Sequence, residues 1–260
     1  MSIEPHTFGR WALRLAGLGA LVGGVIALGL LGWRWRTSAT VEHVAVRGAT
    51  HAPPDTVRRL ARVDTGDTIS EINRVLVADR VERHPWVKRA EVTAQWLRRT
   101  LTIVVTERTP AALAVDPQGR PAYYLDRAGY AMPLPDSAGY DVPLVRGLDA
   151  RYHPIRRIAP PSLRRTLGVL TSEKSFDLVA EIVMQPDSTV RLVTAPTRHH
   201  GSIPVRLGSG HVPRKIQTLQ AFARQVLATR SETSIQYIDL RFEDQVVARK
   251  QPPGRKTSAP

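Results

Sequence analysis

Apolar and polar residues alternate most cleanly between residues 84 and 113, HPWVKRAEVTAQWLRRTLTIVVTERTPAAL. Ala90, Val92, Ala94 and Trp96 fall on one side, and Arg89, Glu91, Thr93 and Gln95 on the other. Leu101, Ile103 and Val105 likewise oppose Thr100, Thr102 and Thr106. Only an extended backbone sends every second side chain to the same face, so the stretch predicts an antiparallel pair with one face buried. Leu97-Arg98-Arg99 is the connection. Pro85 stops whatever helix precedes it by disfavouring the helical region for His84, and Pro110 ends the pairing.

The same reading extends in both directions. Residues 41–48, VEHVAVRG, alternate as a short strand. Pro53-Pro54-Asp55 then opens a helix with Val57, Leu60 and Ala61 on one face, proline being tolerated in a first turn. A break at Gly66-Asp67 precedes a second helix over 70–84, with Ile72, Val75 and Leu76 turned to a core. Downstream, residues 122–132 form a hairpin around Asp126-Arg127-Ala128-Gly129, where glycine accepts a positive φ. Residues 162–173 give a helix on Leu163, Leu167 and Leu170, and Phe176 to Met184 alternate as a strand. A turn at Pro186-Asp187 leads to a strand around Val190, Leu192 and Thr194. Helical spacing of Ile216, Leu219, Ala223 and Val226 predicts a helix over 215–229.

The last strand, 237–243, puts Ile238, Leu240 and Phe242 on one face and Tyr237, Asp239, Arg241 and Glu243 on the other. A short strand over 246–249 finishes the sheet. Strands late in a chain often lie at a sheet edge, whose unpaired N–H and C=O groups fit either a partner strand or an ordinary cap. Residues 250–260, with three prolines and no apolar period, read as a disordered tail.

One stretch follows neither period. Residues 15–33 are nineteen consecutive uncharged, mostly apolar positions. As a helix they rise about 28 Å, enough for a hydrocarbon core of roughly 30 Å. Arg10 and Arg14 flank one end, and Trp33, Arg34, Trp35 and Arg36 the other. The apolar run is longer than a signal peptide's and lacks a small-residue cleavage site, so an uncleaved single span is expected. Arginines balance across the span, and the positive-inside rule therefore gives no orientation. Gly19 and Gly23 form a small-xxx-small pair of the kind that lets helices approach closely.

Composition changes the picture in two ways. The formal net charge of +14 favours anionic surroundings, yet the basic residues are spread over several elements without a recognition helix or aromatic platform, so no nucleic-acid binding is expected. Absence of cysteine excludes disulfides and thiolate chemistry. His199-His200 lacks metal-ligand spacing, Gly208-Ser209-Gly210-His211 is not a nucleophile elbow, and no phosphate-binding glycine loop is found. The reading is non-enzymatic, with no cofactor and no metal.

Strand-helix-helix-strand-strand is the layout of a POTRA module. HPWVKRAEV, Trp96, the alternating LTIVV, Glu107-Arg108 and Pro110-Ala111 resemble the POTRA domain of the FtsQ/DivIB cell-division family, whose pattern runs PWV…A.V…WP…L.I.V.ER.P.A. Leu97 stands where the family has proline. The YLD hairpin at 124–126, the P.L.G step at 143–147, VRLG at 205–208 followed by Lys215, and DLRF at 239–242 are similar to further family segments, with Phe242 replacing a tyrosine.

The resemblance implies an α+β protein: a cytoplasmic tail (1–14), a transmembrane helix (15–36), a β-α-α-β-β POTRA domain (40–109), a mostly antiparallel C-terminal β domain with two helices (110–250), and a disordered tail (251–260). It implies an essential-type divisome protein, single-pass and type II in the cell inner membrane, with its bulk periplasmic and at the septum. There it would recruit FtsB and FtsL by strand addition and link early division proteins to septal peptidoglycan synthesis, with further division partners reached through the POTRA domain. Partner contacts would fall on Tyr237, Leu240, Arg241, Phe242 and Glu243, and on Arg191; Arg241 would meet an acidic residue and Phe242 would fill an aromatic position. The alternative is a POTRA-bearing component of envelope protein translocation.

Overall fold

The computed structural model describes residues 6–136, 139–228, 235–242 and 245–250; for residues 6–14 and 35–37 it describes the backbone alone. Helix α1 (His6–Ser38) carries an apolar window, Leu15–Arg34, of mean hydropathy 2.2, none of it buried. Leu18, Leu21, Val25 and Leu28 all lie open on its surface. A stripe-free, all-round apolar helix of that length suits hydrocarbon rather than water. Two compact units follow from the contacts: Met1–Glu82 with Arg89–Thr106, and Arg83–Lys88 with Glu107–Pro260.

In the first unit, β1 (His43–Arg47), β2 (Val87–Gln95) and β3 (Thr100–Glu107) form a sheet in the order β1-β3-β2. Strand β1 runs parallel to β3, from His43↔Thr100 to Arg47↔Val104. The alternation holds: Leu101, Ile103 and Val105 are buried, while Val92, Ala94 and Trp96, from β2 and its end, pack against the cluster of Leu101, Val41 and Ile69. Thr102, expected on the open face, is buried too, because β3 is the central strand. The connection tightens into a 3-10 turn, Trp96–Arg98, and closes on Arg99 in the left-handed region. Gly48, at φ +75, ends β1 where the backbone of β3 passes closely: a Cβ there would lie 2.3 Å from the Val105 carbonyl oxygen.

Helix α2 (Pro54–Ala61) buries Val57 and Ala61. Helix α3 (Arg74–Val81) is shorter than the expected 70–84, and the face is corrected: Val77 and Val81 are buried, whereas Val75 is 80 % exposed. Asn73 caps the helix, its side-chain oxygen accepting the Leu76 N–H at 3.1 Å, so Ile72 packs on the core from the loop ahead of the helix.

The second unit is a nine-stranded sheet with two helices on its core face. Strands β4 (Pro110–Val115), β5 (Pro121–Asp126), β6 (Ala131–Met132), β7 (Leu144–Arg146), β8 (Val179–Met184), β9 (Val190–Thr194), β10 (Pro204–Arg206), β11 (Ile235–Asp239) and β12 (Val247–Lys250) take the spatial order β12-β11-β10-β9-β8-β7-β4-β5-β6. Strand β3 already stops at Glu107, and Pro110, expected to end its pairing, instead opens β4. The α+β expectation stands. Helix α4 (Pro161–Ser172) inserts Leu163, Leu167 and Leu170, all fully buried, and α5 (Val212–Phe222) inserts Ile216 and Leu219, against Val145, Ile182, Leu192, Val205 and Ile238 of the sheet.

Two expected elements are corrected. Phe176–Leu178 is a 3-10 turn, so that strand begins at Val179. Helix α5 begins at Val212 and passes into a π-turn, Ala223–Leu227, whose extra residue per turn shifts the buried position from Val226 to Leu227. Near the start of the unit, Arg108 donates to Asp126 at 2.8 Å beneath the Tyr130 ring, 3.9 Å from its centroid. Asp126 also accepts the N–H groups of Ala128 and Tyr130, which fixes the β5–β6 turn with Gly129 at φ +85.

Candidate functional site

The sheet's far end brings two arginines and an aspartate into one line. Register places Arg206 of β10 opposite Arg191 of β9 on one side and Asp239 of β11 on the other, and Asp239 opposite Val247 of β12. Directly paired residues share a face, so this row stands on the side away from α4 and α5. The opposite row, Leu192, Val205, Ile238 and Ala248, faces the helices; the first three of these are fully buried.

Asp239 departs from the expected open strand position: it is 4 % exposed. Strand β11 ends there, and the chain turns so that Arg241 folds back on it. The guanidinium donates to Asp239 from Nε at 3.0 Å and from Nη2 at 2.7 Å, and the Arg241 N–H adds a bond at 3.0 Å. These donors, with the charges of Arg241 and Arg206, hold the Asp239 carboxyl below its ordinary value, against the opposing effect of burial; Asp239 in turn raises Arg241. The Arg206 guanidinium lies 4.6 Å from the centroid of the Tyr237 ring. Two cations thus share one buried carboxylate, and the surface keeps a net positive charge.

A loop fixes this arrangement from below. Lys215, in the first turn of α5, is buried, and its Nζ donates to the carbonyls of Leu207 at 2.9 Å and Ser209 at 2.8 Å. Between them sits Gly208 at φ +66, where a Cβ would come within 2.8 Å of Arg241 Cγ. Glycine is needed there for both reasons. Beside it a groove of ≈ 590 Å³ is lined by Gln185, Asp187, Arg191, Arg206, Gly208 and Arg241 among others. Arg191 donates to Gln185 at 3.1 Å across the β8–β9 turn.

On the other side of residues 240–242 lies a smaller cleft, ≈ 140 Å³, formed by Leu240, Phe242, Gln245, His211, Lys215 and Thr218 with Arg214. Phe242, expected to share the buried face of Ile238 and Leu240, is instead 55 % exposed. The reason is that β11 stops at Asp239; Leu240 still packs inward at 1 % exposure, its N–H bonded to the Arg206 carbonyl, but the turn after it releases Phe242 from the strand's alternation.

The short strand expected over 246–249 does finish the sheet. Strand β11 is an inner strand, covered by β12 in antiparallel pairing, and β12 is the outermost strand of the sheet. It leaves one side of its backbone unpaired within the sheet and carries exposed Val247, Arg249 and Lys250.

Of the residues read from the sequence, Tyr237, Leu240, Arg241 and Phe242 gather at this corner, Arg191 reaches the same groove from β9, and Glu243 lies outside the described residues. Sequence reasoning missed Arg206 and Lys215 as members of the site; the alternation of VRL gave the one signal available for Arg206. Among the described residues no group of three or more His, Asp or Glu is placed to hold a metal ion.

Comparison with known proteins gives the same two-part division along the chain. Residues 39–108 match a family model described as POTRA domain, FtsQ-type, and residues 109–249 one described as FtsQ/DivIB, C-terminal related. A protein of Salinibacter ruber named "Cell division protein FtsQ" is 62 % identical over 252 residues, covering 96 % of this chain and 97 % of that protein. Its namesake in Rhodothermus marinus is 39 % identical over 257 residues, 95 % of this chain and 94 % of that one. Another, of Geotalea daltonii, is 30 % identical over 198 residues, 74 % and 68 % of the two chains.

Proposed function

The chain belongs to the FtsQ/DivIB family of cell-division proteins, and from that premise we propose that it works by binding rather than catalysis, as an anchored recruiter at the division site. In this reading residues 1–14 are cytoplasmic, 15–36 cross the inner membrane once, and the POTRA domain (40–109) and β domain (110–250) stand outside it, with 251–260 as a tail. FtsB, coiled with FtsL, adds a strand to the β domain and so connects early division proteins to septal peptidoglycan synthesis.

The observation that carries the reading is the edge of β12. An added strand gains affinity from main-chain bonds and its register from flanking pockets. Both flanks are present: the Phe242 cleft supplies an apolar site, and the Arg191–Arg206–Arg241 groove suits a carboxylate. Because Asp239 already fixes the Arg241 guanidinium, little side-chain entropy remains to be lost when a partner's acid arrives. Arg249 and Lys250 disfavour pairing of two copies edge to edge and favour an acidic strand.

The test is capture of the FtsB–FtsL pair by the full-length protein. Arg241→Glu with Phe242→Ala is expected to reduce capture at least tenfold with near-UV dichroism unchanged. Since Arg241→Glu also sets a carboxylate against Asp239, Arg191→Glu serves as the variant that leaves that pair intact, with a several-fold loss expected. Full capture by both folded variants would remove this corner from the interface.

A further inference from the structure

The first unit begins almost without a linker after the span. Ser38 ends α1, and Ala39 and Val41 are already 2 % and 1 % exposed in the core. The Ile69 N–H donates to the Ala39 carbonyl at 2.9 Å, and the N–H of Glu42 to the Arg99 carbonyl at 2.8 Å. Four residues of chain, at most about 14 Å even when extended, therefore separate the end of α1 from the β2–β3 turn, and the span proposed at 15–36 ends two residues earlier.

Topology then says which end of this sheet the membrane meets. The chain enters β1 from the span, so the start of β1 is the near end. Parallel pairing with His43 opposite Thr100 puts the start of β3, and the turn before it, at that same end. The turn is Trp96-Leu97-Arg98-Arg99, and Leu97 is 87 % exposed at its tip. Beyond the span, the exposed large apolar side chains of this unit are Val75, Leu76, Leu97 and Val104. Val75 and Leu76 open α3, directly after the turn that is hydrogen-bonded to Ala39. Three of these four thus cluster at the end that faces the bilayer. Arg74 and Arg98, both exposed, stand beside them, whereas Arg99 is paired with Glu42; Asp64, Asp67 and Glu71 lie in the neighbouring loop, so local charge is mixed.

We infer that this end is a second membrane contact, in which Leu97 seats among the lipid headgroups with Arg98 on phosphate, and Val75 and Leu76 rest on the same surface. One leucine and one arginine do not hold a free protein on a bilayer. Here the span makes the contact intramolecular, and effective concentration supplies what the contact lacks in area. The consequence is orientational: the POTRA sheet stands with its strands directed away from the leaflet rather than swinging about residue 39. The proposal stands independently of the partner strand at β12.

The chain has no cysteine, so single-cysteine variants carry a unique label. Full-length protein is inserted in vesicles of phosphatidylcholine with phosphatidylglycerol and labelled with an environment-sensitive fluorophore at Gln95→Cys, next to the tip, or at Thr106→Cys, about 23 Å along β3 from Arg99. Quenching by lipids spin-labelled near the headgroup is expected to be at least threefold stronger at 95 than at 106, and Leu97→Asp is expected to abolish the difference. Equal quenching at the two positions, or a difference indifferent to Leu97→Asp, overturns the proposal.

Discussion

Asp239 and Asp126 are two buried carboxylates that hold turns of the second unit. Asp239 has its folded value lowered by Arg241, so its stabilising effect is fully present above the ordinary carboxylate value of about 3.9 and is lost as pH falls through the lower folded value. Wild-type protein is therefore expected to lose unfolding resistance between pH 5 and about 2 more steeply than Asp239→Asn, which parallel denaturant titrations at each pH will show. Asp126 is nearly enclosed, its side chain 7 % exposed and that of Arg108 12 %. Removing one partner strands the other, so Asp126→Ala is expected to cost about 3–5 kcal/mol, read from the urea midpoint, with Asp126→Asn milder because its side-chain oxygen still accepts the Ala128 and Tyr130 N–H groups. His84 adds a pH effect of the same sign: burial lowers it, against the pull of Glu107, and its Nδ1 accepts the Trp86 N–H at 3.3 Å. Folding thus disfavours its protonation, and stability declines as pH falls below about 6.5.

Close backbone approach governs the elements. Gly48 lets β1 end against the backbone of β3, and Gly48→Ala combines a left-handed penalty of about 1–2 kcal/mol with a Cβ 2.3 Å from the Val105 oxygen. A total loss above about 2 kcal/mol is expected, as a shift of the denaturation midpoint with an unchanged slope. In the π-turn after α5 one extra residue in a turn moves the buried position by one. Strand β12 matters for a different reason. It moves the open edge one strand outward from DLRF, leaving Arg241 and Phe242 as flanking pockets rather than edge residues.

For the whole molecule, the span and the strand order separate two tasks. In the proposed reading the span fixes the chain to lipid and β12 presents an edge to a partner. A fluorescent fusion to the full chain is expected to form a midcell band that persists in Leu97→Asp and fades in the Arg241→Glu, Phe242→Ala variant; an even peripheral signal from the unmodified protein would argue against the division role.

Period-two alternation, proline and glycine punctuation and the apolar run from Leu15 were enough, by themselves, to mark the apolar span, the strand-helix-helix-strand-strand succession of the first unit and most of the β strands, because each is a local constraint written in consecutive residues. Leu163, Leu167 and Leu170 were legible as core for the same reason. What followed from tertiary structure alone was non-local. Register between β9, β10 and β11, the last reached only after α5, aligned Arg191, Arg206 and Asp239; the end of β11 at Asp239 turned Phe242 outward against its alternation; and the parallel pairing of β1 with β3 carried Leu97 to the end at which β1 begins. Alternation says which residues share a face of one strand. It does not say which strands are neighbours or where each stops, and those two facts made the site.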